Sequence, residues 1–177
     1  MTDYNPDVET GDSKAPRPRA FETIVLGGLA IGVLDFLDAT LFFGLYFAVP
    51  FQRVWQGVSA GLLGSEAARA GGWNTAVLGI LLHFVVAFCM AAVYYAAARN
   101  ISFLIDRPVI SGLIFGVAAH LAMKYVVIPL SAIGAIAPYN LPNFLNAVIG
   151  HALLVGLPVA LIASWSARRH RRVERLA

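Results

Sequence analysis

Four long apolar runs, residues 23–49, 75–98, 109–130 and 144–165, constrain this chain more than anything else in it. A helix needs about 20 residues to cross about 30 Å of hydrocarbon, and every run reaches that length. None shows the strict alternation of a barrel strand, so helices are expected. The punctuation fits. Pro50 closes the first run, Gly71 and Gly72 precede the second, and Pro108 and Pro142 stand just ahead of the third and fourth, where helices commonly start.

Composition enters here as a test. The 177 residues are 59% hydrophobic and 13% charged, with a mean hydropathy of +0.72. A soluble domain carries roughly 45–50% apolar and about 25% charged residues. So few charges do not cover so much apolar surface in water. That excludes a soluble globular enzyme, a disordered tail protein and a soluble nucleic-acid binder. No P-loop or GxSxG motif is present, and an enzyme is not expected. The single cysteine, Cys89, makes no internal disulfide and no Cys-based zinc site. The expected fold is therefore an all-α membrane protein with four transmembrane helices. Residues 1–22 form a polar tail, 23–166 the bundle and 167–177 a basic tail. The first tail does not read as a cleavable signal, because the apolar run after it exceeds a signal's core of roughly 7–15 residues.

Loop charge orients the bundle. Lys14, Arg17 and Arg19 precede the first run, Arg99 and Arg107 lie between the second and third, and Arg168, Arg169, Arg171, Arg172 and Arg175 follow the fourth. The opposite side holds only Arg53 and Arg69, and residues 133–143 carry no charge. The positive-inside rule then puts both termini in the cytoplasm. The tract SARRHRRVER reads as a juxtamembrane tail that holds anionic lipid headgroups, not as a nucleic-acid patch. In the first outer loop, 51–72, Val54, Trp55, Val58 and Leu62 fall near one helical face. An interfacial or re-entrant helix, with Trp55 at headgroup level, competes there with an ordered loop packed on the bundle.

A weak repeat runs through the chain. GLAIGVLDF starts at Gly28 and GLIFGVAAH at Gly112; AVLG ends at Gly79 and AVIG at Gly150. Duplicated hairpins and chance both account for it. Gly28/Gly32 and Gly112/Gly116 are small-xxx-small pairs that allow close helix approach.

Inside these apolar runs stand six ionisable groups: Asp35, Asp38, His83, His120, Lys124 and His151. Such groups are costly in a bilayer and usually face the bundle interior. At about 1.5 Å per residue, all six fall about 17 to 22 Å from the cytoplasmic ends of their helices. They form one layer, with every helix contributing. His120 and Lys124 share a face at i, i+4, and so do Asp35 and Asp38 at i, i+3. The glycine stripes lead into this layer, so the polar face is expected to be the packed one. Lys124 reads either as an ion-pair partner of Asp38 or as a snorkelling side chain. Asp35 reads as protonated or as a second pair with His120. Asn146, Tyr125 and Tyr139 are candidate hydrogen-bond partners.

Four uses of the layer follow from its chemistry. It handles or senses protons, or holds an ion, since His and Asp titrate over the useful range. It holds a metal through His83, His120 and His151. It holds haem between His83 and His151. Or it locks the helices in register, as in a structural or accessory subunit with a membrane-protein partner or a second copy of itself. No local ligand motif such as HxxxH or CxxCH singles out a cofactor.

From His83 to Arg169 the chain resembles the YagU-like family of small bacterial inner-membrane proteins. The likeness rests on a histidine in the second span, a short basic turn, GLIFGVAAH, the proline-containing IPLSA with Pro129, a proline-containing outer loop, and Gly150-His151. Asn146 stands where a carboxylate would be sought. The resemblance implies a role in acid tolerance and supplies no catalytic residue.

Overall fold

The computed structural model describes residues 17–134 and 140–174, with side chains to Arg169. The described residues are helical and contain no strand. Four helices are long and apolar enough to span a membrane: α1 (Glu22–Tyr46), α4 (Gly72–Ala98), α6 (Pro108–Leu130) and α7 (Leu141–Arg169). Shorter helices α2 (Phe51–Leu63) and α3 (Ser65–Ala70) follow α1, and α5 (Phe103–Asp106) sits in the turn before α6. α1 packs between α4 and α7, and α7 packs along α6. The most apolar stretch of α7 is 44% buried, against 17–22% for the other three spans, so α7 is the central helix.

The interior inverts the soluble pattern. Ala87, Ala91, Ala160, Ala163 and Ala167 lie in the core with Ile31, Tyr94, Val155 and Val159. Leu29, Val33, Leu37, Leu41, Leu81 and Val85 face outward. In hydrocarbon nothing drives a leucine inward, and small residues at the contacts let backbones approach. Between α4 and α6 an apolar groove of about 440 Å³ stays open, lined by Val86, Cys89, Phe115 and Ala119.

The two glycine pairs use that closeness differently, although the repeat predicts similar packing. Gly28 and Gly32 leave room for the rings of Phe88 and Phe84. Gly112 and Gly116 face α7 backbone itself, at Gly156 and His151. The resemblance between the two hairpins is one of sequence, not of contacts.

Proline shapes two of the spans. Pro129 and Pro158 lack the N–H that would pair with the carbonyls of Tyr125 and Leu154. The preceding turns widen instead. Ile128 N donates to Met123 O, and Leu157 N to Ala152 O, each five residues back. Such π-turns keep backbone groups bonded within the helix, as an apolar surrounding would require. They fall on Lys124 and at His151.

At the end bearing the chain's first and last described helices, a polar clasp joins α1 to α7. Ser166 Oγ donates to Glu22 Oε2 at 2.6 Å and accepts from Arg19 N at 3.0 Å. Arg169 and Arg19 reach Glu22 Oε1 at 3.7 and 3.9 Å. Helix α7 itself runs on past the expected boundary at 166, with residues to Glu174 still helical.

The first loop is the main correction. It is helical, as one of the two expectations had it, but Trp55 is fully buried, not at a surface. Its ring stacks on Phe36 at 4.4 Å and meets His83 edge-on at 5.1 Å. Gly79 on α4 makes this possible, because a Cβ there would collide with the Trp55 carbonyl. The buried face is Trp55, Gln56, Ser59 and Ala60, while Leu62 is exposed. Gln56 decides this rotation. Its Nε2 donates to Gly72 O at 2.8 Å and Thr75 Oγ1 at 3.3 Å, and Thr75 Oγ1 donates to Ala68 O at 2.6 Å. Apolar periodicity does not register such bonds. Trp55→Ala is expected to destabilise the protein by about 3–5 kcal/mol, the usual cost of emptying a large core site. Chemical unfolding in detergent, followed by near-ultraviolet circular dichroism, measures it.

Candidate functional site

Two neighbouring clusters arise from the six ionisable side chains, and α1 connects them. Asp35 and Asp38 are three residues apart, about 60° around the helix. That angle is enough to send one toward α4 and the other toward α7. The expectation that they act as one face therefore fails in detail.

The first cluster is His83 with Asp35. His83 Nε2 donates to the carbonyl of Gly32 at 3.0 Å, and its Nδ1 stands 3.9 Å from Asp35 Oδ2. A carbonyl only accepts, so Nε2 carries hydrogen. The other edge of the ring then faces the Asp35 carboxyl group. Trp55, Phe36 and Phe84 wall the ring. Asp35 was expected beside His120; it faces His83 because Gly32 and Asp35 lie on the α4 side of α1.

The second cluster is Asp38, Asn146, His151, His120 and Lys124. Asn146 Nδ2 donates to Asp38 Oδ2 at 2.9 Å, across α1 and α7. A Cβ on Gly150 would stand 3.1 Å from the same oxygen, so that glycine leaves space for the carboxylate. His151 and Asp35 are close enough to act on Asp38 electrostatically. Asn146 thus bonds the carboxyl group for which Lys124 was one expected partner. The Lys124 ammonium lies 6.0 Å from the Phe144 ring centre and 5.7 Å from that of Tyr125. His120 is 8% exposed and its ring meets His151 edge-on at 5.2 Å. Phe144 lies 6.2 Å from the same imidazole, so His120 and Lys124 do share a face. His120 Nε2 is buried without a hydrogen-bond partner among the described residues.

The three histidines do not converge. Among the described residues no three of His, Cys, Asp and Glu stand together as a metal site. His83 and His151 do not address each other across a gap, as two axial haem ligands would. One ring abuts Trp55 and the other His120. The metal and haem expectations thus find no assembled ligand set.

Of two further contributors, Trp55 was missed as part of the site and Asn146 was among the expected hydrogen-bond partners. Trp55 closes the His83 cluster, and Asn146 bonds Asp38. A buried Trp is invisible in a loop read by hydropathy, whereas Asn inside an apolar run is itself a polar signal. Tyr139, Lys14 and Arg175 lie outside the described residues, as do the side chains of Arg171 and Arg172.

No family model, no curated protein and no solved structure matches this chain. The expected YagU-like family finds no support from these comparisons.

Proposed function

We propose that this is a multi-pass inner-membrane protein whose buried His/Asp/Lys layer handles protons. One observation carries the reading: His120 Nε2 is enclosed, lacks a hydrogen-bond partner among the described residues, and lies beside His151. A buried polar atom without a partner costs about 1–3 kcal/mol. A proton, a water molecule or an ion taken from the surroundings relieves that cost. Ionisable groups at membrane depth mark proton relays and ion paths. The His83–Asp35 edge, with Nδ1 3.9 Å from Oδ2, adds a second place where a proton could be held.

The proposed orientation has both termini in the cytoplasm, supported by the bias of basic residues toward that side. The basic end of α7 then meets anionic headgroups.

A second reading is favoured by other contacts. The His83–Gly32 and Asn146–Asp38 bonds stitch α1 to α4 and to α7. In an accessory subunit they would serve as a register lock only. Proteoliposomes separate the readings. The full-length protein is reconstituted with a pH-sensitive dye inside, and potassium with valinomycin drives proton entry. Uptake above that of empty liposomes, reduced in H120N and H151N, supports the relay. Uptake equal to empty liposomes leaves the register lock.

A further inference from the structure

At the end of the bundle away from the Glu22–Ser166 clasp, α2 and α3 enclose a pocket of about 550 Å³. Its walls include Val49, Arg53, Gln56, Ser65, Arg69 and Ile133. Gly64, with φ +80°, turns the chain sharply between the two helices and creates the concavity.

The two arginines in it are tied to one buried side chain. Gln56 is 2% exposed. Its Oε1 accepts from Arg53 Nη1 at 3.1 Å, and its Nε2 reaches the carbonyl of Arg69 at 3.5 Å while bonding Gly72 O at 2.8 Å. The Arg53 guanidinium is thereby held in place, and the backbone that carries Arg69 is pinned beside it. Neither arginine forms an ion pair among the described residues. Arg53 and Arg69 are also the basic residues of the loop between the first two spans, on the side otherwise poor in positive charge. Loops on that side are usually depleted of arginine. Two arginines that line one pocket there, neither in an ion pair among the described residues, call for an anion.

We propose that this pocket binds a phosphate group, carried by a lipid headgroup or by free phosphate. Guanidinium forks match phosphate oxygens two at a time. Two forks and the Ser65 hydroxyl supply donors from several sides, which suits three oxygens better than the two of a carboxylate. Val49, Ala60 and Ile133 line the apolar part of the pocket, where the first carbons of a glycerolipid would lie. The site is independent of the histidine clusters and of proton handling.

The test uses the full-length protein in a phosphate-free maltoside detergent. Inorganic phosphate is titrated by isothermal calorimetry, and retained phosphatidylglycerol or diacylglycerol is counted by native mass spectrometry. Retention of phosphatidylglycerol over diacylglycerol assigns the phosphate to a lipid; calorimetric binding of phosphate alone assigns it to a free ion. Either is expected to weaken at least about tenfold in R53Q/R69Q, since charge-assisted bonds are lost. R53K is expected to lose part of the effect, because it keeps charge but not the fork. R99Q, at the other end of the bundle, is expected to bind as wild type. Unchanged thermal unfolding of R53Q/R69Q shows that folding is intact. The proposal is overturned if wild type binds neither phosphate probe, or if R53Q/R69Q binds both as wild type does.

Discussion

Gly156→Leu is expected to abolish assembly of the α6–α7 pair, with a loss of stability above about 3 kcal/mol, at or beyond the upper end of ordinary overpacking. The reason lies in what surrounds the new atom. A Cβ at Gly156 overlaps the Gly112 carbonyl and the backbone of Gly116. Flexible side chains make room for a methyl group by changing rotamer; backbone inside a hydrogen-bonded helix does not. The helices would have to separate, and the contacts of Gly112 and Gly116 with α7 would go with them. Gly57 is the contrast, since nothing lies within 4 Å of its missing Cβ. There Gly57→Ala is expected to stabilise by up to about 1 kcal/mol through helix propensity. Unfolding midpoints of both variants in one detergent read the opposite signs. A Gly156→Leu protein that unfolds like wild type would remove the backbone-to-backbone contact as the basis of the bundle.

The second large effect concerns His120. If the layer relays protons, H120N should lower proton uptake in proteoliposomes at least about tenfold, the lower part of the range for losing a positioned acid–base group being about a hundredfold. Asparagine keeps polarity and approximate size, so packing against His151 and Phe144 is largely preserved. It does not titrate. H83F would act on the other measurement. It removes the bond to Gly32 O, which keeps its backbone bond within α1, and is expected to cost about 0.5–1.5 kcal/mol of stability, the net worth of one hydrogen bond. A relay therefore predicts that H120N changes flux with little change in melting, and that H83F changes melting first. Equal flux in H120N and wild type would leave His120 as a packing residue.

Much of this was readable residue by residue. The four spans follow from run length, because a bilayer sets one thickness for every helix that crosses it. Most of their ends shifted by a few residues, although α7 continues to Glu174. Gly72 starts α4 three residues earlier than the apolar run does, and Tyr46 ends α1 ahead of Pro50. The shared height of the ionisable groups follows from counting rise per residue. Their partners did not follow. Asp35 and Asp38 look alike in sequence, yet a rotation of 60° gives one to His83 and the other to Asn146. Trp55 looked like an interfacial anchor, and Gly79 let it become a plug.

The order of amino acids alone therefore determined which segments are long and apolar enough to cross and how far along its helix each titratable group stands, since hydropathy and helical rise are local quantities. Tertiary packing decided which of those groups meet. That choice depends on how closely two backbones approach, and closeness is set jointly by glycines such as Gly79, Gly116 and Gly156 and by whatever faces them from a distant part of the chain. A single run of residues carries no record of the neighbour it will touch.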